Sequence, residues 1–209
     1  MNIHLYLNFN CKAMRIRDVN KVELVKEKAI ELLVKVGFEG FTMGKLAKEC
    51  DISVATLYIY YKDKDDLILQ VGMEETERMG ALMLEDFDPD APFAIGLRQQ
   101  WKNRANCMLE NPLSVQMIEQ LRTSTYQEKI FERLIETFKS TLGRFMHNAV
   151  QRGEIEAMPL ETYWSVAFAP LYNLIRFHNE GRSLGGKPFV LTDEVLWGTF
   201  DLVLKALKK

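Results

Sequence analysis

The chain has 209 residues, 47% of them hydrophobic and 27% charged, with a formal net charge of −2. That apolar content supports a packed core and excludes intrinsic disorder, while the near-neutral balance excludes a protein that coats nucleic acid by charge alone. No run approaches the roughly 20 apolar residues of a membrane helix, and the start lacks the basic and apolar regions of a secretory signal. A cytoplasmic protein without a membrane partner is expected.

Cys11, Cys50 and Cys107 are widely spaced and form no CxxC pair, so they read as reduced structural thiols. His4, His147 and His178 are dispersed, with no spacing that would bring two onto one metal, so no metal and no cofactor are expected.

In chain order, residues 1–13 show no clear period and precede a second methionine, Met14, which suggests a misassigned start or a frayed extension. Lys12, Arg15, Arg17 and Lys21 then offer four positive charges opposed only by Asp18. Such an arm either reaches a neighbouring minor groove or phosphates, or is a solvated tail. Val22, Val25, Ala29, Leu33 and Val36 recur at helical steps, and Gly37 ends that helix.

Thr42 stands before the apolar set Met43, Leu46, Ala47 and Cys50, where its hydroxyl can cap a short helix. Asp51-Ile52 forms a tight turn, and Ser53 caps a second short helix whose Val54, Leu57, Tyr58 and Tyr61 are expected to face inward. Ala55, Thr56, Ile59 and Tyr60 are left on or near the exposed side. Two short helices crossing over a brief turn make a helix-turn-helix, whose second helix can enter the major groove. Asp63 and Asp66 bracket Lys64 in a capping pattern; a lysine in a first helical turn is electrostatically unfavourable unless an anion lies near, and a phosphate would supply one.

The pattern T-x-x-x-L-A-x-x-x-x-I-S-x-x-T-L-Y-x-Y-Y-x-x-K-D-x-L resembles the DNA-binding signature of the TetR/AcrR family of transcriptional regulators, over about residues 18–70. The resemblance implies that Thr42 and Lys45 meet backbone phosphate, that Ser53, Ala55 and Thr56 lie at the groove, and that Tyr60 and Lys64 each meet a phosphate. It also implies a departure at Asp51, since relatives usually carry glycine there for a left-handed turn; aspartate tolerates that conformation better than most residues, at roughly 1 kcal/mol.

Beyond residue 72 punctuation comes from Pro89, Pro92, Asn111-Pro112, Gly153, Pro159 and Gly185-Gly186. The intervening stretches are amphipathic helices. Leu97, Trp101, Ala105 and Met108 line one; Leu113, Met117 and Leu121 another; Ile130, Leu134, Phe138, Leu142, Phe145 and Ala149 a third. Tyr163 to Phe177 is apolar nearly all round with Pro170 inside it, which predicts burial on several sides and a kink. Leu196, Phe200, Val203 and Leu207, flanked by Trp197 and Leu204, line the last helix.

The predicted class is all-α, with about nine helices: a three-helix DNA-binding domain over residues 14–72 and a larger ligand-binding and dimerisation domain over residues 73–209. Trp101, Met117, Tyr126, Phe138 and Phe145 are candidates to wall an apolar effector cavity, together with Trp164, Phe168 and Tyr172. His147 and Arg176 are candidates to orient an effector. The last two long helices carry more apolar surface than one neighbour covers, which points to a homodimer and hence a palindromic double-stranded operator.

The expected function is a repressor released from that operator by a small apolar or amphipathic effector. The alternative is a helix-turn-helix protein that binds protein partners and no longer reads DNA. No Ser/His/Asp order, carboxylate pair or phosphate loop suggests an enzyme; Gly185-Gly186-Lys187 lacks the rest of a P-loop.

Overall fold

The computed structural model describes residues 4–209, with side chains for 20–132 and 135–209. The side chains of His4, Cys11, Lys12, Arg15, Arg17 and Leu134 therefore lie outside the described residues. Among the described residues there are nine helices: α1 (His4–Gly40), α2 (Met43–Glu49), α3 (Val54–Tyr60), α4 (Lys64–Met83), α5 (Phe93–Glu110), α6 (Pro112–Arg122), α7 (Gln127–Gln151), α8 (Leu160–Glu180) and α9 (Asp193–Leu207). Extended pairing is confined there to two isolated bridges, Ile155 with Lys208 and Arg182 with Pro188. No helix among them is long and apolar enough to cross a membrane. The all-α expectation holds because apolar residues recur at three and four residue steps in every long segment.

The chain forms two compact units. The first comprises residues up to Glu75 together with Gln116–Lys129; the second comprises Thr76–Val115 and Ile130–Lys209.

In the first unit Val25, Ala29 and Leu33 of α1 are buried with Phe41, Leu46, Leu57, Leu67, Val71, Met117 and Leu121. Gly37 interrupts α1 with φ 66° and ψ 177°, a backbone conformation open essentially to glycine alone. The break redirects the chain into Phe41, whose side chain is fully buried. Lys26 supplies an ion pair at 3.5 Å to Glu75, a carboxylate that is nearly inaccessible to solvent.

In the second unit α8 packs on both α9 and α5, and α5 also meets α9. The core runs through Phe93, Leu97, Trp101, Phe145, Tyr163, Phe168, Ile175, Leu196, Phe200 and Val203. The Trp101 indole N–H donates to the Ala167 carbonyl at 2.8 Å, fastening α5 to α8. Gly96 allows a close approach in this core: a Cβ there would lie 2.3 Å from the Phe145 ring. The Phe145 ring in turn stacks on Phe93 at 5.6 Å.

One stripe departs from expectation. Leu113 of α6 is exposed, whereas Met117 and Leu121 are fully buried. Residues four apart drift by about 40° per step around a helix of 3.6 residues per turn, so the first of three such positions rotates off the buried face. α8 runs unbroken from Leu160 to Glu180 with Pro170 inside it.

Candidate nucleic-acid interface

The helix-turn-helix is built by caps. Thr42 Oγ1 accepts the backbone N–H of Lys45 at 3.2 Å and starts α2. α2 ends in a Schellman arrangement, with the Ile52 N–H donating to the Ala47 carbonyl at 3.0 Å and the Asp51 N–H to the Lys48 carbonyl at 3.2 Å. This closure needs a left-handed residue, and Asp51 provides it at φ 52°. Ser53 Oγ then accepts the Thr56 N–H at 3.2 Å, and the Ser53 and Thr56 hydroxyls meet at 2.9 Å. The sequence expectations for these two caps and for the Asp51 conformation are all realised.

α3 is two turns long and buries only Leu57 within its span; Tyr61, just past its end, is buried too. Burial, aided by the nearby Glu74 and Asp66, pushes the Tyr61 phenol up to about 12, so it stays neutral. Tyr58 does not face inward as its spacing suggested: it is 53% exposed, and Val54 is 37% exposed. A seven-residue helix can bury only a narrow stripe, and Tyr58, about 100° round the axis from Leu57, falls outside it. Ser53, Val54, Ala55, Tyr58 and Ile59 therefore form one uncharged, solvent-facing surface, on which Ile59 is 75% exposed. Thr56 and Tyr60 are half-buried at its margin.

Two cations flank this surface, and both are tethered by the end of α1. The Lys45 ammonium donates to the Gly40 carbonyl at 2.7 Å, and the Lys64 ammonium donates to the Phe38 carbonyl at 2.5 Å. These carbonyls stand past the Gly37 break, where a helix leaves acceptors without internal partners. Asp63 Oδ1 accepts the Asp66 N–H at 2.9 Å, and Asp66 Oδ2 accepts the Lys62 N–H at 2.8 Å, fixing the start of α4. Hydrogen bonds from Gln70 and from the Lys62 N–H hold the Asp66 carboxyl below its ordinary range. The unfavourable place of Lys64 at a helix start is thus met by a carbonyl within the chain.

The candidate effector residues divide between the units. Met117 and Tyr126 lie in the first. There the Tyr126 hydroxyl donates to Asp65 at 2.6 Å and its ring lies 5.4 Å from that of Phe38. The other eight lie in the second. Trp101, Phe145 and Phe168 are fully buried, and Phe138, Trp164, Phe168 and Tyr172 form an aromatic cluster, with Trp164 5.0 Å from Phe168 and 6.3 Å from Phe138. His147 is exposed. Arg176 is exposed as well, paired with Asn173 and Glu180 along α8. The structure thus gathers the α7 and α8 aromatics and leaves both polar candidates at the surface.

Spacing alone passes over Arg104. Its side chain is fully buried against the Phe138, Trp164 and Phe168 rings. Its place three residues after Trp101 and seven after Leu97, on the stripe that also holds Gln100 and Ala105, was the available signal.

Residues 26–71 match the model of the bacterial regulatory proteins of the tetR family. An uncharacterised HTH-type transcriptional regulator of Haemophilus influenzae is 32% identical over 107 residues, 51% of this chain and 57% of that protein. A Bacillus subtilis protein named fatty acid metabolism regulator is 23% identical over 134 residues, 61% of this chain and 67% of its own length. The chain therefore spans little more than half of the first of these relatives and about two thirds of the second. A solved TetR-family transcription regulator from Marinobacter aquaeolei superposes with a TM-score of 0.76 at 26% identity, covering 93% of this chain and 99% of the other. A TetR-family regulator of Haemophilus influenzae gives 0.73 at 24% identity, over 92% and 99%. With the capped helix-turn-helix and its left-handed turn, these likenesses identify residues 26–71 as a DNA-binding domain of the bacterial tetR regulatory type, in a chain whose helical fold is similar to that of the solved TetR-family regulators.

Proposed function

We propose that the protein is a dimeric, effector-responsive repressor that reads a palindromic operator through α3. The observation that carries this reading is the uncharged, exposed face of α3 between two lysines, Lys45 and Lys64. Apolar and hydroxyl groups on that face suit base edges and thymine methyl groups, whereas flanking ammonium groups suit phosphates. Thr42, Lys45, Tyr60 and Lys64 make the backbone contacts in this reading, and Ser53, Ala55 and Thr56 the groove contacts. The carbonyl tethers of the two lysines exchange for phosphate oxygens on binding.

Residues 14–72 are the DNA-binding part and residues 73–209 the effector-binding and dimerisation part. Two copies associate through α8 and α9, on whose surface Leu202 is left exposed. The effector acts by binding the DNA-competent and mis-spaced states of the dimer unequally, since equal affinity would shift nothing.

The test is selection of fragments from a random DNA pool by the purified protein, read by sequencing, with a Thr56→Ala, Lys64→Ala double variant as control. A palindromic motif enriched by the wild type and lost in the control is expected. A folded dimer that enriches no motif would overturn the reading and favour a protein partner on the apolar face of Val54, Tyr58 and Ile59.

A further inference from the structure

The second unit buries a permanent positive charge with no carboxylate paired to it among the described residues. Arg104 is 0% exposed, and its guanidinium is a planar, delocalised cation. Its charge is met from three sides by π-faces: the ring of Phe168 at 4.3 Å, of Trp164 at 5.1 Å and of Phe138 at 5.3 Å. One terminal nitrogen, Nη1, donates to Met83 Sδ at 3.0 Å. The Nε and Nη2 atoms have no hydrogen-bond partner.

Those two atoms are the side-on fork of the guanidinium. Their N–H bonds run parallel, at the separation of the two oxygens of one carboxylate, and this bidentate pairing is the strongest contact an arginine makes. Rings hold the charge but leave such N–H edges unsatisfied, which is costly in a low-dielectric interior. A third unpartnered polar atom, the Tyr163 hydroxyl, is buried on α8, the helix that also carries Trp164 and Phe168. Gln100 Oε1, one turn before Arg104 on α5, is unpartnered too; as an acceptor it suits a hydroxyl or water rather than an anion.

The surroundings select the rest of the ligand. The walls are Phe138, Trp164, Phe168 and Met83, which suit an apolar body. Trp164 is half-buried and also lines an open depression of about 360 Å³ with Leu160, Glu161 and Ser165. Trp164 therefore touches both the depression and the guanidinium, and its displacement would open a way in.

We propose that Arg104 is the anchor of an effector site for amphipathic monocarboxylates, with Nε and Nη2 gripping the carboxylate side-on and the α7 and α8 aromatics enclosing an alkyl or aryl body. The proposal deepens the reading of residues 73–209 as the effector-binding part and rests on it. A phosphate monoester dianion would set two charges against one cation and is disfavoured.

The experiment is calorimetric titration of the full-length wild type with dodecanoate and with 4-phenylbutanoate, each beside its neutral methyl ester, with tryptophan fluorescence recorded in parallel. At least one acid is expected to saturate and to perturb the tryptophan emission, with its ester at least tenfold weaker; which acid binds distinguishes an alkyl from an aryl source. Arg104→Met fills the space without the fork and is expected to remain folded and lose at least tenfold in acid affinity, whereas Arg104→Lys retains part of it. Equal binding of acid and ester, unchanged affinity in the methionine variant, or no acid binding to folded wild type would each overturn the site. Binding is read without DNA, so such a failure leaves operator recognition standing. Conversely, an acid that binds through Arg104 yet leaves operator affinity unchanged supports the site and counts against the effector-release reading alone.

Discussion

Lys64 Nζ lies 2.5 Å from the Phe38 carbonyl oxygen, a hydrogen bond that joins the first residue of α4 to the segment following the Gly37 break in α1. The contact spans 26 residues of sequence and gives the side chain a structural duty in the free protein, beside the phosphate contact proposed for it.

Lys64→Ala is accordingly expected to weaken binding to all DNA sequences, to lower the slope of log affinity against log salt by about 1, and to lower the melting temperature slightly. Thr56→Ala should instead weaken specific binding more than nonspecific binding, by on the order of 1 kcal/mol. Fluorescence anisotropy on operator and random duplexes across a salt series separates the two. Identical losses and slopes for both variants would contradict the assigned roles.

Gly96 tests the packing of the second unit. The Cβ of an alanine there would sit 2.3 Å from Phe145, so the stacked pair of Phe93 and Phe145 must shift. Alanine ordinarily favours a helix interior by about 1 kcal/mol over glycine. Overpacking should reverse that sign and leave Gly96→Ala destabilised by roughly 1–3 kcal/mol in urea denaturation. A more stable variant would show that the ring moves freely.

Asp51 offers a backbone test without side-chain packing. It holds φ 52° at the close of α2, a conformation that costs an ordinary residue roughly 1–2 kcal/mol. Asp51→Gly should match or exceed the wild type by up to about 1 kcal/mol, because glycine relieves that strain but raises the entropy of the unfolded chain. Asp51→Val should be clearly less stable, since a β-branched residue tolerates positive φ worst. Thermal melts of the three proteins give the order directly.

The Tyr126 hydroxyl donates to Asp65, and partial burial together with that carboxylate raises its pKa up to about 12 from the ordinary 10. A raised folded pKa means that the contact stabilises fully below pH 10 and is lost as pH rises toward 12. The difference in melting temperature between wild type and Tyr126→Phe should therefore be constant from neutral pH to about 10 and then shrink. A difference that grows above pH 10 would mean that the phenol ionises more easily in the fold.

The helix-turn-helix was legible in the sequence because its determinants are local. Thr42, Ser53 and Asp51 act within three residues of themselves, and the capping and turn preferences of those residue types are strong. The faces of α5, α7 and α9 were legible because periodicity averages well over several turns. The same method failed for Tyr58 on a helix of only two turns and for Leu113 in the first turn of α6. It passed over Arg104 because a charge is read as outward-facing by default, and only three distant rings, on α7 and α8, make its burial tolerable. The partners of Tyr126 and Lys64 were not legible for a related reason: Asp65 and Phe38 are 61 and 26 residues away.

The break at Gly37 has a metric consequence. From it to Thr42 the chain has a fixed length, and within that interval the Phe38 and Gly40 carbonyls set where two ammonium groups rest. Inserting a single residue there would leave the helical content almost untouched, and a circular dichroism spectrum would report an intact protein. The two positive charges, however, would lose the common ruler that sets where each of them rests.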